Sequence, residues 1–235
     1  MGKGNNSRHS GKIAGTMLAL VCLLAGSAKA ATVSYNFSYG PEGIPQVSHL
    51  VGTLPLFDPS LGTLTQVKLD LTSNTSAGTI DWENHAGVPS DVTLGIGASV
   101  TVSGQFGGLA ATAVPLQTGS GSVTAFDGNA DFSGPDAFHV LGGTGTDSGS
   151  GLLTGGAVAP YNTGPGTFNV NGLSSVSTLV STTGGFGPTQ FTLGNTDGLV
   201  TVTYTYTPVP EPGTLALLGL GFASLLAFRL RKRSA

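Results

Sequence analysis

The chain has 235 residues, of which 39% are hydrophobic and only 9% charged, far below the roughly 25% usual in a soluble domain. Between residues 31 and 210 a single base, Lys68, stands against eleven acids, leaving ten net negative charges. Such a segment has no footprint for nucleic acid and no basic clamp for nucleotide phosphates, since both need clustered cations.

At the N-terminus, Lys3, Arg8 and Lys12 precede an uncharged apolar run over residues 13–25, and Ala28-Lys29-Ala30 follows. A basic start, an apolar run of this length and an A-x-A site predict a signal-peptide helix over residues 1–30. Signal peptidase would read Ala28 and Ala30 and leave Ala31 as the new N-terminus. The alternative, a permanent N-terminal anchor, is disfavoured because the run is too short for a comfortable span. Cys22 lacks the small preceding residue expected of a lipidated cysteine. Beyond Ala31 there is no Cys and no Met, so neither disulfides nor thiol chemistry is available to the processed chain.

Residues 31–207 are written in a strand alphabet. Val33, Tyr35, Phe37 and Tyr39 alternate with polar residues, and so do Val200, Val202, Tyr204 and Tyr206. Period-two patterns rich in β-branched and aromatic residues predict strands with one buried face. Residues 64–72 and 91–103 alternate likewise, with Gly95 and Gly97 marking a bend or bulge in the second. In the turn Phe57-Asp58-Pro59-Ser60-Leu61-Gly62, Asp-Pro opens and Gly closes. Shorter candidate strands cover residues 78–83, 109–116, 122–125, 166–170, 174–180 and 189–193. The glycine-rich stretch 142–151 reads as a mobile loop. Many short strands punctuated by Gly, Pro and Asn predict an all-β fold, an antiparallel sandwich of jelly-roll type.

Chemistry is sparse in this domain. Asp81 and Glu83 share one face of a predicted strand at a spacing of about 7 Å, within the range of glycosidase carboxylate pairs. Trp82, the only Trp, points the other way, as a core residue would. A solvated strand face is the default reading of the two acids. His49, His85 and His139 have no partner at metal-ligand spacing, although His85 shares the face of Glu83. Calcium is the one cofactor the sequence admits. Asp127, Asn129, Asp131 and Ser133 stand at positions 1, 3, 5 and 7 of a loop, a spacing that brings oxygens onto a hard cation. Two departures count against it: Phe132 stands where such a loop needs Gly, and Phe138 where it needs a bidentate Glu, for which Asp136 is a substitute by another route. Diffuse screening of the acids by divalent cations is therefore the expectation, ahead of a built site.

At the C-terminus, Val209-Pro210-Glu211-Pro212-Gly213 breaks any regular structure. An uncharged run over residues 214–228 follows, and Arg229, Arg231, Lys232 and Arg233 close the chain. Fifteen helical residues reach roughly 22 Å against a hydrocarbon core of about 30 Å, so a transmembrane helix here is marginal. The basic cluster would fix the tail inside.

The stretch from Val209 resembles the PEP-CTERM sorting signal of exported bacterial proteins: a Pro-Glu-Pro motif, a short Gly- and Leu-rich transmembrane helix and an Arg-rich end, over residues 208–235. That resemblance implies cleavage near Pro210-Glu211-Pro212 by an exosortase, transient attachment to the inner membrane, and a Gram-negative host that makes exopolysaccharide. Residues 31–207, chiefly Gly52-Thr53-Leu54-Pro55-Leu56-Phe57-Asp58-Pro59 and Asp131-Phe132-Ser133-Gly134-Pro135, resemble the choice-of-anchor E domain, which brings no established activity with it. Together these imply a surface or matrix protein of structural or adhesive role with no catalysis, its partners being signal peptidase, exosortase and exopolysaccharide. The rival expectation is a carbohydrate-active enzyme using Asp81 and Glu83, or a carbohydrate-binding module of the envelope.

Overall fold

The computed structural model describes residues 29–209 and 212–231. The signal-peptide helix, Ala28, Pro210, Glu211, Lys232 and Arg233 lie outside these. Residues 31–206 form one compact unit, and the C-terminal helix belongs to a second.

The compact unit is built of three antiparallel sheets. In the first, the order is β1 (Ala31–Gly43), β12 (Asn195–Pro208), β3 (Gly62–Ser76) and β9 (Thr144–Thr154). The second runs β2 (Gln46–Pro55), β10 (Thr167–Thr182), β5 (Ser90–Gly104) and β6 (Ala110–Ala113), with β7 (Leu116–Val123) also paired to β5. The third is small: β11 (Thr189–Thr192), β4 (Thr79–Glu83) and β8 (Ala137–Leu141). The all-β sandwich expected from the sequence is present.

Alternation sets the layers. Val67, Leu69 and Leu71 of β3 and Val200, Val202 and Tyr204 of β12 project into the main core, where they meet Val100 and Val102 of β5 and Phe168 and Val170 of β10. The first half of β5 turns the same face to a second core. There Val92, Leu94 and Ile96 pack with Ile80, Trp82, Val123 and Val140. One long strand thus serves two cores, and the third sheet closes over its near end. Burying each such side chain contributes roughly 1.5–3 kcal/mol.

The two end strands pair with each other, Val33 opposite Tyr204 and Tyr35 opposite Val202. Only one of them is fully sunk, however. Val200, Val202 and Tyr204 are buried, whereas Val33, Tyr35 and Phe37 are half-buried, because β1 lies at the end of its sheet. The Tyr39 and Ser73 hydroxyls, 2.7 Å apart, tie β1 to β3 in the core, and Ser73 in turn meets the Thr196 hydroxyl of β12 at 3.1 Å. Burial, ahead of every other influence, raises the Tyr39 pKa.

Four expectations about the strands need correcting. Residues 142–151 are no mobile loop: β9 pairs with β3 in unbroken register from Gln66–Thr154 to Ser76–Thr144. Its glycines answer to packing. A Cβ at Gly149 or Gly151 would overlap the carbonyl oxygen of Thr112 or Ala110 in β6, so the two layers touch backbone to backbone there. Gly97 marks no bulge either, since β5 keeps one register against both β10 and β7. It is small because a Cβ would overlap the Pro115 carbonyl, whose oxygen accepts from Ala98 N–H at 3.2 Å. Residues 167–180, read as parts of two strands, lie in the single strand β10, and the stretch read as one strand over 109–116 is split at Val114-Pro115 between β6 and β7. The Asp58 turn stands as expected: a 3₁₀ turn, Pro59–Leu61, is capped by the Asp58 carboxylate, which accepts from Ser60 N–H at 2.9 Å.

The tail carries helix α1 (Pro212–Arg231). Leu220, Leu225 and Phe228 are exposed on it. Among the described residues no helix is long and apolar enough to cross a membrane, so the structure does not bear out a transmembrane helix over residues 214–228. The glycines, Ser224 and the arginines at its end dilute the apolar run.

Candidate functional site

Asp81 and Glu83 leave the same face of β4 and then part company. Asp81 is half-buried at the centre of a cross-strand row, opposite His139 in β8 and Gln190 in β11. Its Oδ1 meets His139 Nδ1 at 2.8 Å, and its Oδ2 accepts from Gln190 Nε2 at 3.1 Å. Glu83 is fully buried at the strand end. Its Oε1 accepts from Asp131 N–H at 3.1 Å and its Oε2 from Phe132 N–H at 3.2 Å. His85 Nε2 stands 3.5 Å from the same Oε2. Both oxygens of Glu83 are thus engaged by loop backbone, whereas those of Asp81 are engaged by His139 and Gln190. The glycosidase-type pairing therefore has no geometric support, and Trp82, 1% exposed, lies in the second core.

What Glu83 does instead is hold a loop. Residues 124–136 leave and return at one point, where Thr124 N–H donates to the Pro135 carbonyl at 3.0 Å, a closure typical of compact surface loops. Beneath it Asn84, also fully buried, donates through Nδ2 to the Val88 and Thr124 carbonyls, both at 2.8 Å. Asn84 N–H donates to the Asp136 carbonyl at 2.9 Å. The ring of Phe126 lies 4.6 Å from that of His85. Phe132 takes a left-handed φ of 53°, the conformation a calcium loop asks of its glycine, and the Glu83 carboxylate grips its N–H in that state.

The three residues expected to hold calcium do not converge. Asp127 Oδ1 accepts from Asn129 N–H at 2.7 Å, and Asp131 Oδ1 accepts from Ser133 N–H at 2.9 Å. These are Asx turns, in which a short carboxylate caps the backbone two residues on. Among the described residues no group of three His, Cys, Asp or Glu is placed to hold a metal. The other glycine-rich acid, Asp147, accepts from Val114 N–H at 2.6 Å and so stitches β9 to the break between β6 and β7. Sequence reasoning missed the buried Asn84, whose only signal was polarity beside an apolar strand, and offered Asp136 only as a substitute calcium ligand, without its burial. It also missed that each of the three histidines would find a carboxylate: His49 with Glu42 at 3.1 Å, His85 with Glu83, and His139 with Asp81.

In the tail, Val209 and Arg229 are exposed, and α1 begins at Pro212, the last residue of the Pro-Glu-Pro motif, so the expected break over residues 209–213 is cut short by the helix. Residues 208–233 match the PEP-CTERM protein-sorting motif. The chain carries that sorting motif.

No curated protein matches the chain. Solved structures of two strains of infectious bursal disease virus, Gt and Gx, align at 13% identity over 83% of this chain and 49% of theirs, with TM-scores of 0.11 and 0.14. The chain spans about half the length of those viral chains, and likenesses at such scores carry no argument about fold or role.

Proposed function

We propose that this chain is an exported surface or matrix protein, sorted by an exosortase acting at the PEP-CTERM motif, with a structural or adhesive role and no catalysis of its own. The motif at residues 208–233 carries the reading. The apolar side chains left exposed on α1 support it: a run of uncovered Leu and Phe calls for a non-aqueous partner. In this reading the tail meets the inner membrane only in passing, long enough for cleavage, as suits a helix too weakly apolar to stay. Signal peptidase removes residues 1–30 first. The released domain then joins the cell surface or an exopolysaccharide matrix of a Gram-negative cell. In this reading residues 31–207 are a domain of the choice-of-anchor E kind.

Intact-mass measurement of the protein released by exosortase-active cells tests this. The expected species begins at Ala31 and lacks the residues beyond the Pro210-Glu211-Pro212 motif, while cells without the exosortase retain them. Full-length chain, Met1 to Ala235, from the active cells would overturn it.

A further inference from the structure

We propose that the gap bounded by Asp127, Gly134 and Asp136 is a calcium site, distinct from the Asp127, Asn129 and Asp131 set suggested by spacing. Asp136 is fully buried, yet only one of its carboxylate oxygens is used. Oδ2 accepts from Asp127 N–H at 3.0 Å, and Oδ1, buried, has no hydrogen-bond partner. A buried carboxylate oxygen left alone is costly, and a buried charge without a counter-charge more so. Glu83 next door shows the contrast, with one backbone N–H donor at each of its oxygens.

The free oxygen of Asp136 faces a space that a second carboxylate also faces. The point where a Gly134 Cβ would stand lies 3.4 Å from Asp136 Oδ1 and 3.6 Å from Asp127 Oδ2. Asp127 Oδ1 is committed to the Asn129 turn, so Oδ2 is the oxygen on the Gly134 side. Gly134 has a φ of +82° and carries no side chain into the gap. Asp127 is exposed, so an ion can enter from solvent without the loop unfolding. No lysine or arginine is at hand to neutralise Asp136, because Lys68, the sole such base between residues 31 and 210, pairs with Asp70 at 2.7 Å. A hard divalent cation supplies the missing charge and tolerates water and backbone oxygens for its remaining ligands, which is calcium's habit and not magnesium's. Two carboxylates place the affinity in the weak range of extracellular modules, with Kd on the order of 0.1–1 mM.

The test is thermal unfolding of the full-length chain in about 0.15 M NaCl, where diffuse screening is already spent. The chain is melted with chelator, with calcium chloride or with magnesium chloride. About 10 mM calcium should raise Tm by about 3–10 °C, saturating as a single site, and magnesium should leave Tm unchanged. Asp136→Asn removes the buried charge, and Asp127→Asn changes only an exposed residue, so the second variant keeps its fold even where the first does not. Both should lose the calcium shift, and Asp81→Asn should keep it. An equal response to magnesium, no shift at all, or a shift that survives in Asp127→Asn would overturn the site. So would an Asp136→Asn protein that is more stable than the parent under chelator and still responds to calcium.

Discussion

Ala77 sits exposed between β3 and β4 at a φ of 63°, where its Cβ crowds the following carbonyl at a cost of roughly 1–2 kcal/mol. Ala77→Gly removes that crowding and returns part of the gain as freedom of the unfolded chain. The expected outcome is a rise in stability of up to about 1 kcal/mol, read as a higher denaturant midpoint at unchanged slope. His49 offers a second measurement at this scale. Its Nδ1 lies 2.9 Å from the Val47 carbonyl and its Nε2 3.1 Å from Glu42 Oε2. The Val47 carbonyl first, and Glu42 second, raise its pKa above the ordinary 6.5. A raised folded-state pKa means that the protonated pair adds stability below about pH 6.5, lost as pH climbs through the folded value. Exposure keeps that contribution small. An NMR titration should place the His49 midpoint above 6.5, and Glu42→Gln should move it down.

Strands differ in what they tolerate, and position in the sheet decides it. Val202 of β12 is buried between β1 and β3, so Val202→Asp places an unpaired charge in the main core and should unfold the domain. Thr203→Asp points outward and should cost about 1 kcal/mol or less. Val33→Asp, on half-buried β1, should fall between these two; circular dichroism melts of the three variants check the order. In β9 the demand is reversed, since side chains are what cannot be accepted. Gly149→Ala drives a methyl against the Thr112 carbonyl, and because backbone must move, the loss should exceed about 3 kcal/mol. Gly156→Ala, with nothing within 4 Å of its new carbon, should change stability by about 0.5 kcal/mol or less; chemical denaturation of the pair checks both. The strands legible in the sequence were those whose inward residues are large, such as Val67, Leu69 and Leu71. β9 was illegible because three of its inward residues are Gly145, Gly149 and Gly151, with only Leu153 large, and a pattern written in absent side chains looks like a loop. At the candidate site, the sequence flagged Asp127 and Asp131 by their spacing. It could not show that Asp131 caps its own turn while Asp136, five residues on, is the acid left without a partner, since burial is a property of the closed loop.

Charge acts on the molecule as a whole. Ten net negative charges on residues 31–210 repel one another most when the chain is compact, and salt relieves this. Tm should therefore rise with NaCl from about 0.01 M and flatten near 0.15 M, as the Debye length falls from about 30 to about 8 Å. Potassium chloride should give the same curve, a comparison read in one series of melts. The pairing of Ala31 with Tyr206 bears on a different matter, the timing of passage out of the cell. The strand that opens the first sheet waits for the one that closes it, some 175 residues later, and folding dominated by such distant contacts is slow. A chain still emerging from the ribosome thus has β1 without its neighbour, and the main core lacks Val200, Val202 and Tyr204. If the chain is exported as proposed, it stays threadable through a translocation pore until almost its last strand is made, and its sandwich closes only on the far side.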